Sequence, residues 1–205
     1  MLIHRHDDGT DDEPRWRAFV EAQGFGHLVA PGQDRDVPVV VPTQFLLDGD
    51  MIRLHLAAKN PLLTAVGENA KVVMSVAGDW AYIPGRWKQI GDEDPRFGIP
   101  TTYYGAVQLT GEAAVLDGPD QIAATLSAQV GDLEPDADYV DPLEHGARLR
   151  TIRAVEIRVT DVRAKFKYGG NVDEAHRDAI AVRLADRQGP GDAAALRQMG
   201  RSVQS

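Results

Sequence analysis

The chain has 205 residues, 43% hydrophobic and 26% charged, an ordinary profile for a soluble globular protein of one large domain or one domain with an appendage. Its formal net charge of −9 argues against broad nucleic-acid binding by electrostatics. There is no cysteine, which excludes disulfides, thiolate metal sites and cysteine nucleophiles and fits a cytoplasmic location, and no apolar run approaches the ~20 residues of a membrane span.

The opening residues, Met1 to Asp8, lack the apolar stretch of a signal peptide, so export is not expected. Pro14 to Gln23 reads as a short helix. Asp12 or Glu13 caps it, Pro14 suits its first turn, and Trp16, Phe19 and Val20 share one face. Gly24-Phe25-Gly26 ends the helix, His27 to Ala30 begins a strand, and Pro31 to Asp34 is a turn. Val37 to Leu47 is β-rich, with Pro38 and Pro42 placing it at an edge or a bulge. Asp48-Gly49-Asp50 is a tight hairpin turn. The returning strand, Met51 to Ala57, puts Ile52, Leu54 and Leu56 on one side and Arg53 and His55 on the other. Asn60 is a good N-cap and Pro61 fits the first helical position, so a helix is expected to about Val66.

Lys71 to Ala77 reads as a strand and Trp80 to Pro100 as a long loop broken by Pro84-Gly85 and Asp94-Pro95. Tyr103 to Leu116 is a long strand, or two joined by a kink at Gly111. Asp120 to Val130 and Glu144 to Arg153 look helical. Ala154 to Val162 alternates, with Val155, Ile157 and Val159 opposite Glu156, Arg158 and Thr160. Asn171 and Glu174 form a capping box for a helix to about Arg187, its apolar face being Val172, Ala175, Ala179 and Val182. Gln188 to Gly191 breaks that helix, and Asp192 caps a last one from Ala193 to Met199. Strands dominate residues 27 to 162, with helices between them and at the ends. This predicts an α+β, mainly β, fold: a β-barrel with peripheral helices. The expected division is a barrel domain over 1–170 and a C-terminal helical extension over 171–205.

Charge is unevenly spread. Between Phe97 and Ala147 there are nine acids and no Lys or Arg, whereas Arg148 to Lys167 carries seven bases against Glu156 and Asp161. An acidic loop and a basic strand that screen each other account for this. Two stretches carry chemistry. In the first, Arg53 to Leu63, Lys59 stands just before a capped helix start, where unpaired N–H groups and the helix dipole attract anions. In the second, Trp80, Tyr82, Trp87, Tyr103 and Tyr104 crowd into 25 residues with Gly85, Arg86 and Lys88 interleaved. A cationic corner suits a phosphate and an aromatic cluster suits a flat ring, which together suggest a phosphorylated aromatic cofactor. The same aromatics could simply close one end of the barrel. Lys165, Lys167 and Asn171 form a second cationic corner. His55 has no identifiable carboxylate partner, so a catalytic role has no support, and no catalytic residue is assigned. His4 and His6 lie in a polar terminus, and no metal site is expected. Phosphate loops of the P-loop or dinucleotide type, a Gly-x-Ser-x-Gly elbow and a basic recognition helix are all missing from the sequence.

At these residues the chain resembles the PaiB-type family of FMN-binding negative transcriptional regulators, in the flavin-binding split-barrel superfamily. The resemblance runs from about Trp16 to Arg187. It rests on Phe25-Gly26-His27-Leu28-Val29, His55 to Pro61, Ala81-Tyr82-Ile83, Ile99 to Tyr104 and Lys165 to Asn171. It implies a six-stranded split barrel that forms a homodimer and holds FMN at the subunit interface. On that basis Lys59 and Asn60 would hold the phosphate with Arg53 or His55 nearby, and Tyr82 and Tyr104 would flank the ring. The backbone around Pro42-Thr43 and Leu56-Ala57 would contact the ring's polar edge. Thr101 belongs to the same set, and Lys167 and Asn171 would reach across from the second subunit. Three classes follow: a flavin- or redox-sensing regulator, a flavin-dependent oxidoreductase, and an interaction module that has lost its ligand.

Overall fold

Apolar side chains at every second position of the strand Met51–Ala57 bury Ile52, Leu54 and Leu56 and turn Arg53 and His55 to the other face. This strand, β4, belongs to a seven-stranded sheet in the computed structural model, which describes residues 1–136 and 138–200. The other strands are β1 (Phe25–Ala30), β2 (Val39–Gln44), β3 (Leu46–Asp48), β5 (Lys71–Ile83), β6 (Thr101–Leu116) and β7 (Ile152–Lys167). Their order is β2-β1-β5-β6-β7-β4-β3. The helices are α1 (Glu13–Gln23), α2 (Pro61–Glu68), α3 (Pro119–Leu133), α4 (Glu174–Arg187) and α5 (Asp192–Gln198).

The two ends of that order, β2 and β3, follow one another in the chain. β2 pairs antiparallel with β1, from Gln44 opposite Phe25 to Val39 opposite Ala30, and β3 pairs with β4, from Leu46 opposite Arg53 to Asp48 opposite Met51. Only the buried Phe45 separates them. One run of chain therefore leaves the first edge of the sheet and joins the last, so the order closes on itself as a barrel does. The six expected strands appear as seven because this run changes partner at Phe45. At the hairpin tip, Gly49 takes the left-handed φ of 56° that the tight turn requires.

The chain divides into two compact units, which are described separately. One comprises Arg17–Val76 and Gln108–Val162. Its core contains Val20, Leu28, Ile52, Leu54, Leu62, Met74, Leu109 and Ile157, all fully buried. Each such side chain contributes roughly 1.5–3 kcal/mol by leaving water. α2 packs on β1 and β2 through Leu62, Ala65 and Val66, and α3 lies against β4. A smaller cluster joins Ile122, Leu149 and Ala154. Instead of the helix expected over Glu144–Arg153, a 3₁₀ run occupies Pro142–Thr151, because Gly146 adopts φ 53° and interrupts any longer helix.

The other unit comprises Met1–Trp16, Ala77–Val107 and the chain from Arg163 onward. Ile83, Tyr103, Phe166, Tyr168, Ile180, Leu184 and Leu196 are buried in it. Four expectations fail here. Trp80–Ile83 is not loop but the end of β5, reached through Asp79 in a left-handed conformation (φ 49°). α4 is capped by Asp173, whose carboxylate accepts the His176 N–H, and not by Asn171, which is exposed. Its buried face is Ile180, Ala181 and Leu184, while Val182 is 60% exposed. Asp192 is the first residue of α5 and its cap is Gly191. The Asp192 carboxylate is buried and paired with Arg187, which explains why an acid is tolerated there. Arg201 and the rest of the expected extension to 205 lie outside the described residues.

Candidate functional site

The first group of candidate residues lies in the unit that holds α2. Asn60 enters the helix with extended backbone. Its Oδ1 accepts the Leu62 N–H at 3.0 Å and its carbonyl accepts the Leu63 N–H at 3.1 Å. Pro61 has no N–H to offer. The first amides of α2 are thus already partnered within the chain, and an incoming anion would meet the positive end of the helix and the Lys59 ammonium. Lys59 is exposed and has no ion pair among the described residues. Arg53 is differently placed. It lies between Asp48 at 2.7 Å and Glu156 at 3.0 Å, and the bond to Asp48, then that to Glu156, raises its pKa further. Its donors are committed to carboxylates. His55 Nδ1 meets Gln129 Oε1 of α3 at 2.7 Å, so its partner is an amide.

Pro42 and Thr43 stand on β2 opposite His27 and Gly26, and the Thr43 hydroxyl donates to the Gln44 carbonyl at 2.9 Å. Gly26 lets β1 run flush, since a Cβ there would come within 2.9 Å of the Ser75 carbonyl oxygen. Leu56 is buried and Ala57 exposed. The Ala57 carbonyl accepts the Asn60 N–H at 2.8 Å, which fixes the corner before α2.

The second group lies in the other unit. The alternation of β7 continues past Val162, so Lys165 and Lys167 share a face, and their ammonium groups approach the Tyr104 ring at 5.8 and 6.0 Å from its centroid. Lys167 Nζ donates to Thr101 Oγ1 at 2.7 Å. Lys165 Nζ donates to the Leu2 carbonyl at 3.0 Å and lies 3.7 Å from Asp7 Oδ2. Asp7, Thr101, Lys165 and Lys167, with His4, His6, Lys88, Tyr103, Asn171 and Val172, line a cavity of about 380 Å³. The two imidazoles stack, 5.6 Å apart and 7° from parallel. Burial, and then the charge of Lys167, holds the Lys88 ammonium below its usual pKa. Burial pushes the Tyr103 hydroxyl up to about 12, against a smaller opposite effect of Arg177, so it keeps its proton.

The structure thus gathers Thr101, Tyr104, Lys167 and Asn171 in one neighbourhood; Arg53, His55, Leu56, Ala57, Lys59 and Asn60 follow one another along β4 and into α2, while Pro42 and Thr43 stand on β2 beside β1. Tyr82 stands apart from the cavity lining, half exposed on β5, with its carbonyl accepting from Arg187 at 2.9 Å. The second cationic corner of Lys165, Lys167 and Asn171, and Tyr103 of the aromatic cluster, are thus in the cavity lining, whereas sequence reasoning missed His4, His6 and Asp7 there and did not join Lys88 to that corner. The signal for Lys165 was present, since Arg163, Lys165 and Lys167 continue the alternation of β7. No such signal marks the amino-terminal residues, which reach the strand through a bridge between Asp8 and Lys165. Among the described residues, no cluster of three His, Asp or Glu side chains is placed to hold a metal, and no helix is long and apolar enough to cross a membrane.

The sequence model of the family described as "Putative FMN-binding domain" matches residues 1–161. No curated protein sequence gives a significant match. Among solved structures, the flavocytochrome Anf3 of Azotobacter vinelandii is similar with TM-score 0.61 and 19% identity over 82% of this chain and 73% of its own. The FAD and heme binding protein of Mycobacterium smegmatis has TM-score 0.59 and 19% identity over 81% of this chain and 76% of its own. A conserved hypothetical protein of Mycobacterium tuberculosis has TM-score 0.58 and 14% identity over 85% of this chain and 95% of its own. At such identities the likeness establishes the fold, an α+β split β-barrel with peripheral helices.

Proposed function

The chain belongs to the family described as "Putative FMN-binding domain", and on that premise we propose that it binds FMN as a homodimer and that the redox state of the flavin is what the protein uses. The match over residues 1–161 carries this reading. The donor set supports it. Lys59 offers an ammonium with no carboxylate partner among the described residues, beside the positive end of an eight-residue helix. Lys167 and Thr101 offer hydrogen-bonding groups beside an aromatic ring. These are the chemistries that a phosphorylated aromatic cofactor needs, so the residues fit the group.

The proposal assigns the phosphate to Lys59 and Asn60, with backbone of Leu56, Ala57, Pro42 and Thr43 at the polar edge of the ring. Tyr82 and Tyr104 are assigned to the ring with Thr101 in the same set, and Lys167 and Asn171 are assigned to reach across from the second subunit. Arg53 and His55 are best read as supports. Arg53 is held by two carboxylates and His55 by Gln129, so each stiffens the strand that presents Lys59. When bound, a flavin supplies reversible electron and hydride transfer, and the protein supplies position and electrostatics.

A regulatory output, after the PaiB-type resemblance, is the first finer reading. The net charge of −9 disfavours direct contact with nucleic acid, so such regulation is better pictured as flavin sensing. The second reading, a flavin-dependent oxidoreductase, is favoured by one observation: a cavity lined by three lysines and by Tyr103, whose proton is retained to high pH. Titrating the purified protein with FMN tests the common premise. Quenching of flavin fluorescence that saturates at one flavin per protomer, with a rise in Tm, is expected. No quenching and no Tm change would favour a ligand-free interaction module. Size measurement in solution tests the homodimer, and NAD(P)H-driven reduction of the bound flavin separates the oxidoreductase from the regulator.

A further inference from the structure

We propose that the cavity bounded by Asp7, Lys88, Lys165, Lys167 and Asn171 is a second binding site, taking a small organic anion that also carries a hydroxyl or amino group. The anionic end, a carboxylate or phosphate monoester, sits against Lys88 and Lys167, and the donor group bonds Asp7. This goes beyond the flavin reading and takes Lys167 and Asn171 for the anion where that reading gives them to the flavin, so titration with and without FMN distinguishes the two.

Three lysines line the cavity, and Asp7 is the only carboxylate among its lining residues. Asp7 is engaged with Lys165, at 3.7 Å. Lys88 and Lys167 have no carboxylate within ion-pair distance among the described residues, yet they lie close enough that the charge of Lys167 disfavours that of Lys88. Two neighbouring ammonium groups, both partly buried, are each other's penalty until an anion joins them. Asp7 supplies the second observation. It is 2% exposed, it lines the cavity, and its Oδ1 has no hydrogen-bond partner. Buried carboxylate oxygens are normally bonded, so this one calls for an O–H or N–H. Lys165 and His6 each stand 3.7 Å from Oδ2, too far for a hydrogen bond, the Lys165 ammonium being directed to the Leu2 carbonyl, and neither bonds Oδ1. A volume of about 380 Å³ suits a metabolite-sized acid, at the small end of ligand pockets.

Calorimetric titration of the full chain, with and without saturating FMN, tests the proposal. The probes are malate, succinate and sn-glycerol 3-phosphate. Malate or glycerol 3-phosphate should bind, and which of them binds more tightly identifies the headgroup. Succinate has the charge of malate without its hydroxyl and should bind about fivefold more weakly or worse. Lys88→Gln and Lys167→Gln should each weaken binding by about tenfold. Asp7→Ala, which leaves no acceptor, should erase the preference for malate over succinate. Asp7 is buried, so the malate–succinate pair on the unaltered protein tests its role independently of that variant's folding. No binding of malate or glycerol 3-phosphate by about 10 mM, or binding indifferent to both lysine variants, overturns the proposal. Equal binding of malate and succinate overturns the role of Asp7. Loss of anion binding when FMN saturates the protein would show that the cavity belongs to the cofactor, and also overturns it. Anion binding by a protein that ignores FMN upholds the second site and defeats only the flavin reading.

Discussion

Replacing Lys59 by glutamine should separate cofactor binding from folding. The side chain is exposed and unpaired among the described residues, so the substitution should change stability by no more than about 0.5 kcal/mol. If Lys59 faces the phosphate of FMN, the effect on binding is larger. Two unit charges about 4 Å apart in water-like surroundings interact by about 1 kcal/mol, and a phosphate carries between one and two charges. The loss is therefore about 1–2 kcal/mol, a rise in Kd of about 5- to 30-fold. Added salt should shrink the gap, because the contact is at the surface. Asn60→Ala provides the contrast. It removes the oxygen that accepts the Leu62 N–H at 3.0 Å, which should cost about 1 kcal/mol of stability. In a chain of this size that lowers Tm by about 2–4 °C. Flavin fluorescence quenching at low and high salt, together with thermal melts, reads both quantities. A Lys59→Gln protein that binds FMN as tightly as its parent at low salt would refute the assignment of the phosphate.

Three further outcomes follow from the geometry. Gly111→Ala would set a Cβ 2.5 Å from the Arg158 carbonyl oxygen and 2.7 Å from Ile157 Cγ2, so the backbone must shift and stability should fall by about 1–3 kcal/mol; an unchanged melting curve would contradict this. His176 bonds Asp173 at 2.8 Å and Glu93 at 3.2 Å, and these two carboxylates, Asp173 foremost, raise its pKa above 6.5. The clasp should therefore be fully present below pH 6.5 and lost as pH rises through the raised value. Hydrogen exchange around Glu93 should then quicken with pH, beyond the intrinsic rate, in the parent and not in His176→Gln. Tyr103, pushed up to about 12 by burial, contributes stability below its ordinary value of 10 that is lost as pH rises through about 12. A spectrophotometric titration should show it ionising only as the fold opens, and early ionisation of every tyrosine would contradict the burial.

Much of the fold was legible where local signals agree. The register of β4, the turn at Gly49 and the cap of α2 rest on alternation, a glycine and an Asn-Pro pair that nothing distant opposes. The trace was lost where tertiary partners decide. Trp80 to Ile83 looks like loop, yet it extends a strand whose neighbours lie far away in sequence. Val182 looked like core and is exposed, because what α4 packs against selects Ile180, Ala181 and Leu184. The same limit applies to the candidate site. The Lys59-Asn60 corner is local and readable, whereas Arg53 looked available until its two carboxylates, one of them 103 positions away, were placed beside it. Of the cavity at Asp7 only the corner of Lys165, Lys167 and Asn171 was readable, because the rest joins the amino terminus to residues more than 80 positions later.

The central claim is that this barrel holds FMN, and the absorption spectrum of the freshly purified, unsupplemented protein tests it most directly. A flavin spectrum is expected, with about one FMN released per protomer on denaturation. A colourless protein whose spectrum and melting temperature stay unchanged after incubation with excess FMN would contradict it.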